Sequence, residues 1–361
     1  MTRRRNKPQL AAAGLWCLLL TLTGCGRAQP ADDWPRTLSA YGLFAGNGST
    51  QQPTEGVIPY DLNTPLFSDY TTKHRFIKLP PGQHANYHDK EVFDFPVGTI
   101  IAKTFAMRLD RTNPNSEEQL LETRILAHRP EGWIGLPYVW NREQSEAILQ
   151  PAGGTVDVRW IHEDGAERTN NYLIPNMNQC KGCHRVGRPM SPIGPRARHL
   201  NRDFAYSHGS ENQLDYWSRI GALTGAPSPQ EAPRLAVWDD PETGTVAERA
   251  RAWLEINCAH CHHDQGPASN AGIDLMTSQT VPAKIGVFKS PAAAGRGSGG
   301  LSYDIVPCKP DESILVYRIA STEPQVAMPE LGKRLVHTEG LTLIRQWIRE
   351  MKPDNPHPAT Q

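Results

Sequence analysis

The chain has 361 residues, with 38 basic and 38 acidic side chains, and it contains 31 prolines and 30 glycines. This length is sufficient for two domains, and the proline and glycine content indicates many turns. A formal net charge of zero provides no basic excess for neutralising phosphates, which argues against nucleic acid as a partner.

The N-terminus has the features of an export signal. Basic residues between Arg3 and Lys7 precede an apolar run from Leu10 to Leu22, which is shorter than the roughly 20 residues that a membrane span needs. The run ends at Leu22-Thr23-Gly24-Cys25, a sequence that resembles a bacterial lipobox. The resemblance implies cleavage before Cys25 and diacylglycerol on its sulfur. The alternative is an ordinary signal peptide followed by an incidental cysteine.

We therefore predict a lipoprotein signal peptide over 1–24 and lipidation at Cys25. The resemblance also implies a periplasm-facing lipoprotein of the outer membrane, because Gly26 rather than aspartate follows the cysteine. The mature chain is then attached to the membrane by lipid alone and does not span it. Loss of the signal removes four basic and no acidic residues, which leaves 34 basic against 38 acidic residues and a net charge of −4.

The next two segments differ in their pattern. Residues 25–52 are polar and predict a tether between the lipid and the folded part. Residues 53–176 show the period-two alternation of strands, separated by turn signals, and predict a β-rich domain with a small antiparallel sheet or barrel. The clearest predicted strands are Ile101 to Leu109, interrupted only by Lys103, and then Thr123 to His128, Trp133 to Trp140 and Val156 to Trp160.

Two five-residue motifs carry the most chemistry. They read Cys180-Lys181-Gly182-Cys183-His184 and Cys258-Ala259-His260-Cys261-His262, and both have the Cys-x-x-Cys-His pattern of c-type haem attachment. Two thiols at this spacing add to both vinyl groups of one porphyrin, and the following imidazole reaches the iron. We therefore predict two covalently bound haems c, with His184 and His262 as proximal ligands. A pair of redox or zinc cysteine sites is the alternative, and it leaves both histidines unexplained.

Residues 177–243 form the first haem-binding segment, and residues 244–352 have a helical pattern. A helix from Val246 leads directly into Cys258, Asp311 is placed to cap a short helix, and a last helix begins near Thr338. Residues 353–361 are hydrophilic and predict a disordered tail. The order of helix, haem motif, Met-Pro and terminal helix resembles a class I cytochrome c domain, and the resemblance implies that Met328 is the distal ligand of the second haem.

The predicted fold class is α+β, with an N-terminal β-rich domain followed by a mainly α-helical cytochrome c-like domain. No structural disulfide is expected, because the predicted roles account for all cysteines except Cys308 once Cys17 leaves with the signal. Cys308 is expected in the core, and distal ligation of a haem is its alternative role.

The wider chain resembles a family of bacterial di-haem c-type cytochromes of unassigned role. The matching stretches are 59–70, 95–99, 192–201 and 257–262, and Cys308 is a departure because such domains often carry glycine at that point. The resemblance implies transfer of single electrons at the cell envelope, with a redox protein as partner.

The distal ligand of the first haem stays open at this point. Met190 is a candidate only six residues beyond His184, and the other candidates are the imidazoles of His199, His208, His128 and His162. An open position would favour a haem enzyme, peroxidase-like or similar to cytochrome P-460, in which a lysine is linked to the haem. Lys103 is the residue that this second resemblance implies. We therefore leave open whether the protein is an enzyme and expect an electron carrier.

Overall fold

A six-stranded antiparallel sheet is the largest element of the computed structural model, which describes residues 1–2, 34–187, 189–292 and 294–352. Its strands, numbered along the chain, follow the order β1-β2-β4-β5-β6-β7. Every pair of neighbouring strands except β2 and β4 is therefore also consecutive in the sequence. The strands are β1 (Val57–Tyr60), β2 (Thr72–Lys78), β4 (Ile100–Arg108), β5 (Glu118–Arg129), β6 (Gly132–Trp140) and β7 (Ala147–Leu149).

Smaller β elements surround the sheet. The hairpin β8 (Gly154–Ile161) and β9 (Glu167–Ile174) packs against β4 through Phe105, Trp160 and Tyr172. The pairs β3 (Ala85–Asn86) with β12 (Leu223–Thr224), and β10 (Asp203–Tyr206) with β11 (Gly209–Asn212), are short. A register shift between Phe105 and Ala106 marks a bulge in β4. Four consecutive residues at the bulge, Thr104 to Met107, are buried, where simple alternation would expose two of them.

The α-helices of the described chain all follow β9. They are α1 (Met177–Cys183), α2 (Ala197–Leu200), α3 (Gln213–Arg219), α4 (Val246–Leu254), α5 (Pro282–Ile285), α6 (Ile314–Ala320) and α7 (Thr338–Glu350). Leu200 of α2 and Trp217 of α3 pack on Ile77 and Ile101 and so cover one face of the sheet. Helices α4 and α7 pack on each other through their apolar faces, which include Trp253, Leu254, Ile344 and Ile348.

Two predicted helix starts are displaced by one or two residues. The N-cap of α6 is Ser313 rather than Asp311, which lies in a preceding 3-10 turn. The N-cap of α7 is His337, and Thr338 is the first helical residue. Such shifts are typical of helix ends, where local polar groups compete for the same orphan amides.

The predicted fold class is wrong in its second half. Strands account for 27 % of the chain and helices for 23 %, the main element is the antiparallel sheet, and a mainly α-helical domain is not evident. The amphipathic pattern located α4, α6 and α7, but long connections that contain at most single helical turns separate them, and these connections contain many of the prolines and glycines. From Pro35 onward the chain forms one compact unit.

Part of the predicted tether is folded. Leu38 and Leu43 are buried, Thr37 bridges to Ile148, and Phe44 bridges to Pro53. The predicted signal peptide, Cys25 and the C-terminal tail lie outside the described residues, apart from the first two residues of the signal. Within the described part of the chain, a search for a helix with the length and apolarity of a membrane span finds none.

Candidate functional site

The first motif lies on a short helix whose start is fixed by two reciprocal hydrogen bonds. The Asn176 side chain accepts from the Gln179 amide at 2.8 Å, and the Gln179 side chain accepts from the Asn176 amide at 2.8 Å. This capping box compensates for the low stability of a seven-residue helix. Cys180 and Cys183 are three positions apart on this helix, so their thiols point to the same side of α1.

A glycine on the sheet allows α1 to approach closely. A Cβ atom on Gly135 of β6 would lie 3.0 Å from Cβ of Cys180 and 2.8 Å from Cε of Met190. Any larger residue at this position would therefore push the first motif away from the sheet.

The histidine of the first motif, which the sequence predicts as a proximal ligand, is held in a defined orientation. Nδ1 of His184 donates to the Ser191 carbonyl at 3.2 Å, and the Ser191 amide donates to the His184 carbonyl at 2.6 Å. Burial, with the nearby charge of Lys103, lowers the pKa of His184 to about 3, so that the ring is neutral at neutral pH. A neutral imidazole with Nδ1–H on a carbonyl and Nε2 free is the form that binds a metal.

The second motif follows α4 through a π-helical turn at Glu255–Ala259. Asn257 anchors this turn, because its side-chain amide donates to the Trp253 carbonyl at 2.9 Å and its oxygen accepts from the Phe67 amide at 2.9 Å. The His262 amide donates to the Cys258 carbonyl at 3.0 Å. Burial lowers the pKa of His262 to about 4, and Nδ1 of His262 is buried without a hydrogen-bond partner among the described residues.

A buried carboxylate connects the second motif to α2. Glu255, three residues before Cys258, accepts from Nε of Arg198 at 2.6 Å and from Nε2 of His199 at 2.8 Å. It also accepts from the Thr277 amide at 2.8 Å. The pKa of Glu255 is held well below its usual range because these donors outweigh the opposing effect of burial. The π-turn is thus fixed by a saturated ionic network.

The two motifs converge although they lie far apart in the sequence. Ligand atoms of Cys183, Cys261 and His260 all lie within 4.8 Å of one another. Contact with the Cys261 thiol and with His260 lowers the pKa of Cys183. The loops after the motifs are also joined, since the Gly187 amide donates to the Gln265 carbonyl at 3.1 Å.

The donor set fits two covalently attached haems. All four motif cysteines are free thiols in this structure. Each motif ends in a half-buried neutral imidazole, and in the second motif the unpartnered ring nitrogen of His262 is a polar atom that its surroundings do not satisfy. Cys308 is exposed and its thiol contacts the Met351 carbonyl at 3.0 Å, so it is not in the core as expected.

Met328 lies in the loop between α6 and α7. Its amide donates to the Arg318 carbonyl at 3.0 Å, and the charge of Arg318 contributes to the lowered pKa of His262. Arg318 therefore lies near His262 and next to the backbone of Met328. Met276, another methionine of the same segment, contacts the Arg196 guanidinium through its sulfur at 4.0 Å.

The distal candidates for the first haem have other contacts. His199 donates to Glu255, and His208 contacts Glu211 at 2.9 Å. His128 donates from Nδ1 to the Phe95 carbonyl at 3.0 Å, and Nδ1 of His162 accepts from the indole of Trp160 at 3.3 Å. The remaining candidate, Met190, pairs with Arg185 and directly precedes the residue that holds the His184 ring.

Sequence reasoning missed the surroundings of Lys103. This lysine on β4 is directly opposite Arg75 of β2 and Arg124 of β5. Both arginines and Lys103 thus project from one face of the sheet, and the face carries three adjacent cations. The period-two alternation indicates which side chains of one strand share a face. It does not show which residues of neighbouring strands lie opposite each other, so it could not bring these three cations together.

Comparison with known proteins provides no relative: neither the family models, nor the curated proteins, nor the solved structures contain a match to this chain.

Proposed function

We propose that this protein is a di-haem c-type cytochrome that transfers single electrons at the bacterial cell envelope. The observation that carries the proposal is the convergence of the two attachment motifs, with atoms of Cys183 and Cys261 within 4.8 Å. Thioether bonds at these two cysteines would bring two porphyrin edges close together, as electron exchange between them requires. The resemblance to di-haem cytochromes supports the same proposal from the sequence.

Each motif has a defined task in this proposal. Cys180 and Cys183 hold one haem, and Cys258 and Cys261 hold the other. Ser191 orients the His184 ring, and the π-turn anchored by Asn257 positions His262. Met328 offers a soft sulfur to the second iron, which favours the ferrous state. Bound haem supplies the one-electron chemistry.

The proposal includes a place and a partner. A lipid on Cys25 would hold the chain at the periplasm-facing side of the outer membrane, and a redox protein of the envelope would exchange electrons with it in a weak, transient complex. Extraction with detergent and mass analysis of the N-terminal peptide test the lipid. A soluble protein with an unmodified Cys25 would contradict this part of the proposal alone.

The central test is the haem content of the purified, exported protein. Pyridine haemochrome spectra should show two haems per chain, both linked by two thioethers. Met328→Ala should lower the reduction potential of one haem markedly, because the iron loses its thioether ligand. Met276→Ala is the matched control and should leave both potentials unchanged. A chain without covalent haem, when expressed with the haem-attachment machinery, would overturn the proposal.

One observation favours a second candidate function. Cys183, His260 and Cys261 form the one group of three metal-binding side chains found among the described residues, and two thiolates with one imidazole are a common zinc donor set. A zinc protein would show five reactive thiols among its described cysteines after unfolding and chelation. The haem protein would show only Cys308, since thioethers do not react.

A further inference from the structure

A row of three cations crosses the centre of the main sheet. Lys103 of β4 lies directly between Arg75 of β2 and Arg124 of β5 in the strand register. Like charges at directly opposed positions of an antiparallel sheet destabilise it. The row is therefore an unfavourable arrangement unless something in the folded protein compensates for it.

The two outer members of the row have carboxylate partners. Arg75 donates from Nη1 to Asp61 at 2.5 Å, and Arg124 donates to Glu122 at 2.5 and 2.9 Å. Lys103 differs from both. Among the described residues, its Nζ has no hydrogen bond and no ion-pair partner, and it lies over the Phe105 ring, 5.0 Å from the centroid. The central amine is thus a half-buried nitrogen without a partner.

The row faces the first motif. Gly135, whose missing side chain makes room for Cys180, pairs with Leu126, and Leu126 lies on the same face of β5 as Arg124. The charge of Lys103 acts on His184, and Cys183 acts on Lys103. Lys103 therefore projects from the sheet face on which α1 places its cysteines and its proximal histidine.

His199 and His208 bond carboxylates through Nε2, so either would have to give up that contact to reach the iron of the first haem. His128 stacks on the Trp133 ring with the ring centroids 4.4 Å apart, and His162 lies against Tyr70 and Trp160. Met190 is next to Ser191, whose carbonyl orients the proximal ring. Since that carbonyl must lie on the proximal side, Met190 would have to cross the porphyrin edge within one residue.

We propose that Nζ of Lys103 is the second axial ligand of the iron at the first motif, an inference that rests on the proposed function. On binding, the ammonium loses one proton to water, and the nitrogen lone pair forms the N–Fe bond without a change in oxidation state. Burial and the flanking charges of Arg124 and Arg75 act in the same direction as ligation, because they disfavour the charged form of the amine. Binding also removes the central charge of the row.

The inference gives the two haems different ligand sets. Histidine and lysine would hold the first iron through two nitrogens, whereas histidine and methionine would hold the second. Nitrogen donors stabilise ferric iron more than a thioether does. The first haem would then have the lower potential, and electrons would pass from the first haem to the second.

The test uses the full, haem-loaded chain and the variants Lys103→Ala and Lys103→Met. Haem per chain is measured first, and then the visible and paramagnetic-resonance spectra of the ferric protein. We expect two low-spin haems in the wild type. Lys103→Ala should convert one of the two to high-spin, and Lys103→Met should keep both low-spin while raising the lower potential and strengthening the methionine–iron charge-transfer band.

Lys73→Ala is the matched control. Lys73 lies one row along the same face, with Nζ 5.8 Å from the same Phe105 ring, but its ammonium donates to the Thr71 carbonyl at 2.6 Å. This variant should leave both spectra unchanged, which separates ligation from a general effect of charge on the sheet.

The outcomes distinguish this inference from the proposed function. Two low-spin haems that Lys103→Ala leaves unaltered would overturn the ligand assignment and keep the electron carrier. One high-spin haem in the wild type, or a peptide with Lys103 bonded to the porphyrin, would overturn the assignment and favour the enzyme alternative. A chain without covalent haem would overturn both.

Discussion

The two Cys-x-x-Cys-His motifs have the same spacing and are positioned by different kinds of structure. The first lies on a seven-residue helix that is capped by Asn176 and packed on the sheet at Gly135. The second follows α4 and is fixed by the buried carboxylate of Glu255. The motif therefore supplies the chemical groups, and the surrounding structure determines how they are oriented. Close packing positions one motif, and a polar network positions the other.

The two histidines show the same difference. His184 has a carbonyl partner for Nδ1, whereas Nδ1 of His262 has none among the described residues. A proximal ring with an Nδ1–H bond to a carbonyl is both oriented and more basic toward iron. The first motif is therefore constrained at the histidine itself, and the second depends on the segments around it.

The largest effect is expected from breaking the network of the second motif. Glu255→Gln leaves the buried Arg198 guanidinium without its countercharge, so the free energy of unfolding should fall by about 3–5 kcal/mol. Glu248→Gln, in the exposed capping box of α4, is the control and should cost about 1 kcal/mol or less. Urea unfolding measures both. Equal losses would show that Glu255 does not anchor the π-turn.

The free energy of unfolding should depend on pH through His337, a neutral imidazole that packs against α4, the helix that leads into the second motif. His337 accepts from the Trp253 indole at 3.0 Å, and burial lowers its pKa from 6.5 to about 4. The unfolded chain takes up this proton first, so the stability contributed by His337 is complete above pH 6.5 and is lost as the pH falls toward 4. The loss should approach about 3 kcal/mol.

His337→Gln isolates this contribution, because glutamine can accept the same hydrogen bond and does not titrate. The difference in the free energy of unfolding between wild type and variant should change between pH 6.5 and 4 and stay constant above pH 6.5. A difference that is independent of pH would contradict the assignment.

Packing at the first motif provides the next prediction. Gly135→Ala places a methyl group against Cys180 and Met190, and such overpacking should cost about 1–3 kcal/mol. It should also reduce haem attachment at the first motif while the second stays fully loaded. Gly154→Ala is the control, since a Cβ there meets no atom within 4 Å. Equal haem content in both variants would show that the first motif does not need this close approach.

The smallest loss of stability is expected when the two capping boxes are removed one at a time. Asn176→Ala and Thr245→Ala each remove a side-chain acceptor at a helix start and should each cost about 1 kcal/mol. Amide hydrogen exchange should increase throughout α1 in the first variant but only in the first turn of α4 in the second. The reason is that α1 has only seven residues, whereas α4 has nine and continues into the π-helical turn. Similar exchange patterns would remove this distinction.

Period-two and helical patterns predicted several of the longer elements of the structure. Strands β4, β5, β6 and β8 and helices α4, α6 and α7 lie where the patterns of apolar and capping residues placed them. The fold class was wrong because helix patterns between residues 244 and 352 were read as a domain, although long irregular connections dominate that segment. Periodicity locates a helix but does not show how much chain lies between helices.

The candidate site was predictable in its chemistry and not in its geometry. The motifs identified Cys180, Cys183, Cys258 and Cys261 at once, but their convergence depends on tertiary packing of distant segments. Lys103 looked like an interruption of a strand because its partners Arg75 and Arg124 lie on neighbouring strands. Strand register depends on turn geometry and on the bulge in β4, and neither can be derived from alternation alone.

The π-helical turn that contains Cys258 determines the direction in which the thiols of the second motif point. Each residue of a helix rotates the chain by about 100°, and the wider turn at Glu255–Ala259 sets where Cys258 points relative to α4. Deleting one residue between Leu254 and Cys258 would rotate the attachment thiols away from the first motif. Changes of length in this helix should therefore separate the two motifs, whereas most substitutions on its outer surface should be tolerated.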